Sequence, residues 1–482
     1  MGYKTMRDYL AHLETRGLLR RISAPVDRAW APAALAKWMY QALPDDKRFG
    51  MMFEKVAGSD MPLVTGALGS GTASYAAALG VEPDAINQAW LEACRNPVPP
   101  RTVNEAACQE VVHLGRQADL GMLPIPTWTP GKDAGPYITT NVVTRNHDSG
   151  VQNHGVYRTL VRDNNSVICN LSPGRQGALN AESWTSKGKP APIAWVVAAS
   201  PAVHLATVVN LPVGSDEMNL AGGLMGEPIA MVRCRTVDLQ VPAEAEIIIE
   251  GEIHPGEVQD EGPFGEFAGY MSGVAPRPVA RITAITHRSQ PIYYGYTSQM
   301  PPSESTVIQS LANAAVLLKM LKYDMGEPTV VDVFIDLTFG GLLAHAVVAM
   351  KSRYPGHGKK VGRMLAAISP VKRVTVVDDD VDPRDPMHVE WAMNARFNPS
   401  RDTVLIDDVY FPTGIDPSLR SPVSPSTMGS KIVCDATSKV DSGSLSLPPR
   451  EIMAKAFDLW NELGLPPIEQ VPRRARLRID RS

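Results

Sequence analysis

The run Glu261-Gly-Pro-Phe-Gly-Glu266-Phe-Ala-Gly-Tyr270 sets two carboxylates five residues apart on a backbone crowded with glycine and proline. Glycine lets a backbone approach a ligand closely. Two neighbouring carboxyl groups in different surroundings can divide the roles of acid and base. The same spacing also describes a surface turn with two solvated glutamates. Upstream, Asn153-His-Gly-Val156-Tyr157-Arg158 ends in an arginine on a strand-like stretch. Pointing inward, that side chain needs an anionic partner, either a buried carboxylate or a ligand's carboxylate or phosphate; pointing outward, it is simply solvated. Pro173-Gly-Arg175-Gln176-Gly177 reads as a tight basic turn, and Glu217 adds a carboxylate in Asp216-Glu-Met-Asn-Leu-Ala-Gly-Gly. Oxygen donors from Asn153, Gln176 and Glu217 suit Mg2+, Mn2+ or K+ and not zinc. Taken singly, each of these segments also reads as a plain surface turn.

The elements that must position these residues are mostly strands. Tyr137–Thr144, Gly155–Arg162, Ser166–Leu171, Ile193–Ala198, Ile229–Val232, Ala245–Ile253, Val279–Thr286 and Ile292–Tyr296 are rich in β-branched residues and bounded by turn formers. So many strands in succession predict a barrel or sandwich core. Before them, helices are expected over Met6–Arg16, Ala31–Gln41 and Thr72–Leu79, with strands at Leu19–Ile22, Met51–Val56 and Leu63–Leu68. The turn Gly66-Ala-Leu-Gly69-Ser-Gly71 lacks both the Rossmann spacing and a P-loop lysine, and reads as a tight turn before a helix. After Pro301 the pattern mixes helices (Ser305–Lys322, His357–Ala367, Arg450–Leu463) with strands (Thr329–Asp336, Leu343–Lys351, Val371–Asp378), as in an α/β domain.

Composition narrows the class further. With 47 basic and 51 acidic side chains in 482 residues, the chain has no overall pull towards nucleic acid or an anionic membrane. Five cysteines with no CxxC pair argue against a structural zinc site and a disulfide framework, and fit a reducing compartment. The start, MGYKTMRDYLAHLETRG, is polar and helical and does not read as a signal peptide; Met6 stands where myristoylation needs Ser or Thr. No apolar run is long enough to span a membrane. A cytoplasmic protein is expected. The 38 glycines and 41 prolines are spread along the whole chain and imply many turns around a packed core, not a linker.

Together, the four segments of the first paragraph resemble the UbiD family of prenylated-flavin-dependent decarboxylases, in order and in spacing. Its most specific signature is the Glu-Gly-Pro-Phe-Gly-Glu/Asp-x-x-Gly-Tyr run, matched at Glu261 to Tyr270. Weaker echoes at Leu63 to Leu79, at Val376-Val-Asp-Asp-Asp-Val-Asp and at Gly429-Ser-Lys-Ile-Val-Cys-Asp-Ala-Thr extend the likeness over nearly the whole chain. The resemblance implies a multidomain α+β or α/β fold. An N-terminal α/β domain would cover 1–110, a split β-barrel flavin-binding domain 111–300, and a C-terminal α/β domain with an oligomerisation helix 301–482. It implies prenylated FMN as cofactor, with Mn2+ or Mg2+ and a K+ nearby. Cofactor contacts fall on Asn153, Val156, Tyr157, Arg158, Arg175, Gln176, Glu217 and Lys372, and metal ligands on Asn153, Gln176 and Glu217. Gln176 stands where the family's turn usually carries histidine, and offers a carbonyl oxygen instead. Arg158, Glu261 and Glu266 match the catalytic triad, with Glu266 as proton donor.

The implied reaction is reversible, non-oxidative loss of CO2 from an aromatic, heteroaromatic or α,β-unsaturated acid through a covalent cofactor adduct. Implied partners are the acid, CO2, a flavin prenyltransferase that supplies the cofactor, and further copies of the chain in a homodimer or homohexamer. No nucleic-acid or membrane partner is expected. Substrate-facing candidates are Tyr294–Pro302, Thr338–Leu343 and Pro422–Met428. The small Gly340, Gly341 and Thr427 leave room for a polycyclic acid such as phenazine-1-carboxylate, although a plain turn explains those glycines as well. Two rivals remain: a split-barrel oxidoreductase using ordinary FMN, which would need a nicotinamide site, and a non-catalytic subunit of a decarboxylase complex.

Overall fold

A computed structural model describes residues 2–209, 211, 216–339, 345–411, 416–419, 428–439, 445–468 and 473–479. Gly340, Gly341 and Thr427 lie outside these residues. The chain forms two compact units, Met1–Ala312 with Leu337–Gly341 and Asn313–Asp336 with Leu342–Ser482.

In the first unit the opening helices form where the apolar spacing predicts. Ala31–Ala42 starts on a proline in its first turn and buries Ala33, Ala36, Met39 and Tyr40 along one face. With Met6–Thr15 and Thr72–Leu79 it flanks a four-stranded sheet in the order Leu19–Ile22, Gly50–Phe53, Leu63–Thr65, Tyr293–Tyr294. The glycine turn after Leu63–Thr65 wraps one of the protein's own carboxylates. Buried Glu304 accepts the backbone N–H groups of Gly66 and Leu68 at 2.8 and 3.1 Å.

The strand-rich middle is a nine-stranded sheet. Its path runs Tyr137–Ile138, Thr159–Asp163, Ser166–Cys169, Ala275–His287, Ile247–Glu261, Ala191–Val197, Asn141–Arg145, Gln152–Val156, and Val111–Leu114 pairs with Ala275–His287 off that path. Two expected strands turn out to be broken. Tyr137–Thr144 divides at Thr139 because its two halves pair with different neighbours. Gly155–Arg162 divides at Tyr157–Arg158, again between different partners. The expected Ala245–Ile253 instead runs on to Glu261. A register irregularity between Ile253 and Val258 takes up the Pro255-Gly256 pair, and pairing resumes as far as Glu261 opposite Ala275. Three helices in this region were not expected: Gln176–Thr185, Pro201–Ala206 and Glu217–Met225.

The second unit holds a mixed five-stranded sheet, Val330–Ile335, His345–Met350, Arg373–Asp378, Met428–Ala436, Thr403–Tyr410. His357–Ile368 packs one face on it, burying Val361, Gly362 and Leu365.

Candidate active site

Arg158 lies in the two-residue gap between the strands Gln152–Val156 and Thr159–Asp163, and its guanidinium meets the tip of the long hairpin. Nε and Nη2 donate to the two oxygens of Glu261, each at 2.9 Å, in the planar bidentate form that suits guanidinium and carboxylate. Nη1 donates to Oε1 of Glu266, and Nη2 also reaches Oγ of Ser272 at 3.2 Å. Phe264 supports the guanidinium from one side, its ring centroid 5.1 Å from Cζ, and packs in turn on Tyr137 at 4.5 Å. The side chains are buried: 11% of Arg158, 1% of Glu261 and 9% of Glu266 remain accessible. One positive charge thus faces two carboxylates with little water between them.

The hairpin makes this arrangement rigid. Glu261 ends one strand, Ala275 begins the next, and the loop between them carries Glu266. Oδ1 of Asp133 accepts the Gly265 N–H at 2.9 Å and its Oδ2 the Thr129 N–H at 2.6 Å, while burial pushes the Asp133 carboxyl up from its ordinary range. Ser272 closes the loop: its Oγ accepts the Phe264 N–H at 3.1 Å, and its own N–H donates to the Phe264 carbonyl at 2.8 Å. Gly265 has no room for a side chain, since a Cβ there would lie 2.2 Å from Oγ1 of Thr129. The glycines of the run therefore seat the second carboxylate against its neighbours.

The other candidates gather around Tyr157. Its hydroxyl accepts the Gly177 N–H at 3.1 Å and an Asn153 Nδ2–H at 3.3 Å, which joins the strand to the helix Gln176–Thr185. A Cβ at Gly155 or Gly177 would lie 2.9 or 2.8 Å from that ring, so both glycines are needed for its close seating. Glu217 opens the helix Glu217–Met225, capped by Asp216, and its Oε2 accepts the His154 N–H at 3.2 Å. Burial raises the Glu217 carboxyl to about 7. Among the described residues no cation pairs with it, and neither the Asn153 Oδ1 nor the Gln176 Oε1 takes a hydrogen bond; Gln176 Nε2 donates to Asn180 at 2.9 Å. A half-buried carboxylate without a counter-charge beside amide oxygens with open lone pairs is a donor set that fits a hard divalent cation.

The remaining assignments separate. Val156 is 37% exposed, and Arg175 is exposed beside the helix start. Lys372 belongs to the second unit, where its Nζ bonds to Asp416 at 2.8 Å and to Ser418 at 2.7 Å. It borders a cavity of about 550 Å3 that contains none of the paired carboxylates. A smaller cavity of about 430 Å3 does border the chemistry: Glu266 lines it, together with Trp128, Gln299, Tyr270 and Lys37. Asp133, Phe264, Ser272 and Lys37 were not singled out from the sequence, and Gln299 only as part of the stretch Tyr294–Pro302. Asp133 follows Pro130-Gly131-Lys132 with no motif of its own, and Phe264 and Ser272 stand inside or beside the signature run without an evident role. Lys37 lies on the expected helix Ala31–Gln41, with no motif around it.

Comparison with known proteins gives the class of this mixed α/β chain with its arginine clamped on two buried glutamates. Three domains described for 3-octaprenyl-4-hydroxybenzoate carboxy-lyase match in order: the N-terminal domain at residues 10–94, the Rift-related domain at 101–301 and the C-terminal domain at 306–436. The chain belongs to the UbiD family, whose members are carboxy-lyases. Among solved structures, it is similar to the UbiD-class enzyme HmfF from Pelotomaculum thermopropionicum, in an evolved dimeric form in complex with prFMN. That match has 34% identity over 92% of this chain and 97% of that one, with a TM-score of 0.80. Vanillic acid decarboxylase from Sedimentibacter hydroxybenzoicus, in closed form, is 29% identical over 96% of this chain and 99% of its own, with a TM-score of 0.83. The apo 3,4-dihydroxybenzoic acid decarboxylase of Enterobacter cloacae, 23% identical with a TM-score of 0.83 over 95% and 100%, shares the fold.

Proposed function

We propose that this chain is a prenylated-FMN-dependent decarboxylase that releases CO2 reversibly and without oxidation from an aromatic, heteroaromatic or α,β-unsaturated carboxylic acid. The observation that carries this reading is the buried clamp of Arg158 on Glu261 and Glu266. The UbiD-class neighbour in complex with prFMN supports the cofactor assignment. When bound, prenylated FMN supplies an electron sink for the pair left behind as CO2 departs. The chain's own residues do the rest. Arg158 holds both carboxylates at fixed distances, and Glu261, with two charge-assisted bonds, keeps the guanidinium from turning away. Glu266 lines the cavity, so its carboxyl can deliver a proton to the carbon that has lost CO2. A proton resident on Glu266 would also bring the one-to-two charge balance of the trio to neutrality.

Asn153, Gln176 and Glu217 would hold Mn2+ or Mg2+ against the cofactor phosphate, with Tyr157 fixing their spacing. A K+ nearby belongs to the same reading, as do cofactor supply by a flavin prenyltransferase and a cytoplasmic setting. No helix among the described residues is long and apolar enough to cross a membrane. Assembly into dimers or hexamers is supported by the helix Arg450–Glu462, which buries none of its residues and leaves Ile452, Leu459 and Trp460 exposed. Mass spectrometry of the flavin released from the purified protein, with a CO2-release screen of aromatic acids, tests the proposal. Unmodified FMN with no CO2 from any acid would overturn it in favour of the oxidoreductase rival.

A further inference from the structure

Glu261 closes a strand and is held by the ladder opposite Ala275, but Glu266 stands in the loop beyond it, and its place depends on what grips that loop. The grip comes from a turn far upstream. It runs from Thr129 through Pro130-Gly-Lys132 to Asp133 and closes on itself: the N–H groups of Lys132 and Asp133 both donate to the Thr129 carbonyl at 3.0 Å. Asp133 then ties this turn to the hairpin loop with one carboxylate. Its Oδ2 accepts the Thr129 N–H at 2.6 Å, and its Oδ1 accepts, at 2.9 Å, the N–H of Gly265, the residue just before Glu266. The Ala134 N–H adds a second stitch, to the Pro263 carbonyl at 2.9 Å. Past that point the loop bonds to itself: the Glu266 N–H donates to the Tyr270 carbonyl and the Gly269 N–H to the Glu266 carbonyl, each at 2.9 Å. The loop has a shape of its own, and Asp133 decides where it hangs.

Only a carboxylate can accept both N–H groups. An asparagine would keep one bond and turn its own N–H towards the other donor. The charge comes at a cost, because Asp133 is half-buried and among the described residues no cation pairs with it. Its influence extends to the clamp. Tyr137, whose ring packs on Phe264, is held above its ordinary range by burial first, and then by the charges of Glu261 and Asp133 against that of Arg158. Arg158 is therefore one cation among three carboxylates. The other charged groups on the cavity beside Glu266 are Lys37 and Lys132. Lys37 has the Met300 carbonyl at 3.3 Å from its Nζ and no carboxylate partner among the described residues, and Gln299 on the same wall has an Nε2 without a partner.

We infer that Asp133 is a positioning residue for the proton donor: it hangs Gly265, and with it Glu266, at the cavity wall, and its unpaired negative charge favours a proton staying on the clamp. This rests on the decarboxylase reading given above. Asp133→Asn removes the charge and keeps the Gly265 bond; Asp133→Ala removes both. NMR of the full chain, labelled at its glutamate carboxyls and assigned with Glu266→Gln, follows the titration of Glu266. It should move to lower pH by about half a unit or more in both variants, because its ionised form no longer meets a third negative charge. In cofactor-loaded enzyme the alkaline limb of kcat, where the donor has lost its proton, should move down with it. Below that limb kcat should fall roughly tenfold to a hundredfold in Asp133→Ala alone, with KM changed by no more than about twofold. A Glu266 titration that stays in place in both variants, or kcat, KM and unfolding midpoint that shift together with an unchanged pH profile, overturns the role. Absence of CO2 release from every acid would sink the decarboxylase reading, and the carboxyl titration would still report what Asp133 does to Glu266.

Discussion

The two polar clusters of the first unit are built on opposite terms. In the clamp every charged group has a bonded partner: Arg158 gives bonds to both carboxylates and to Ser272, and Phe264 closes one face. Around Tyr157 the matching is incomplete: the half-buried carboxylate of Glu217 has no cation beside it among the described residues, and the amide oxygens of Asn153 and Gln176 take no hydrogen bond there. A finished cluster holds its geometry before anything binds, and suits the step in which a proton must move over a fixed distance. An unfinished one gains its stability from what it binds. On the proposed reading, the difference separates the part of the site that acts from the part that anchors.

The sharpest way to break this contrast is at the clamp. Glu266→Gln keeps the shape of the side chain and removes the transferable proton. Turnover should fall by about 10^2 to 10^4-fold, the usual range for a lost general acid, while flavin absorbance of the purified protein stays the same. Near-normal CO2 release would remove Glu266 from the chemistry. Arg158→Met should come next in size, because it strands two buried carboxylates. A loss of about 3–5 kcal/mol is expected in denaturant titration, narrowing at acid pH where the stranded groups take up protons.

At the anchoring cluster the expected sign is reversed, since adding a ligand should stabilise. Mn2+ at about a hundredfold excess over its Kd should raise unfolding stability by about 2.7 kcal/mol, read from thermal scans, and Glu217→Gln should abolish the gain. An equal gain in that variant would place the cation elsewhere. The smallest effect tests how tightly the clamp is seated. Gly265→Ala forces a methyl to within 2.2 Å of Oγ1 of Thr129, so the loop must shift, at a cost of about 1–3 kcal/mol. The variant should lose activity out of proportion to stability if Glu266 depends on that seat.

The clamp was easier to read from the sequence than its support. Glu261 and Glu266 share one run whose glycines mark a tight backbone, and that local pattern survives into the structure. Arg158 lies about a hundred residues upstream, and nothing local ties it to them; only the family likeness joined the two. The hairpin was cut short because Pro255-Gly256 reads as a strand stop, whereas the pairing irregularity absorbs both residues and carries the strand on to Glu261. The helix Glu217–Met225 was missed because Gly222 and Gly223 weaken its helical signal. They are required by packing: a Cβ at Gly222 would lie 2.2 Å from the Val98 carbonyl oxygen. Lys37 gave no sign at all, and Gln299 only that it lies in the stretch Tyr294–Pro302, since an unsatisfied group is visible only once its surroundings are known.

Tyr157 carries a consequence for how the anchoring end can be watched. Its ring is seated so closely on Gly155 and Gly177 that neither position has space for one more carbon. For the ring to rotate by half a turn, the strand and the helix on either side must part briefly. The flip rate of this one tyrosine, followed by NMR on selectively labelled protein, is therefore a clock for breathing at that junction, and on the proposed reading it should slow on addition of Mn2+ and the flavin.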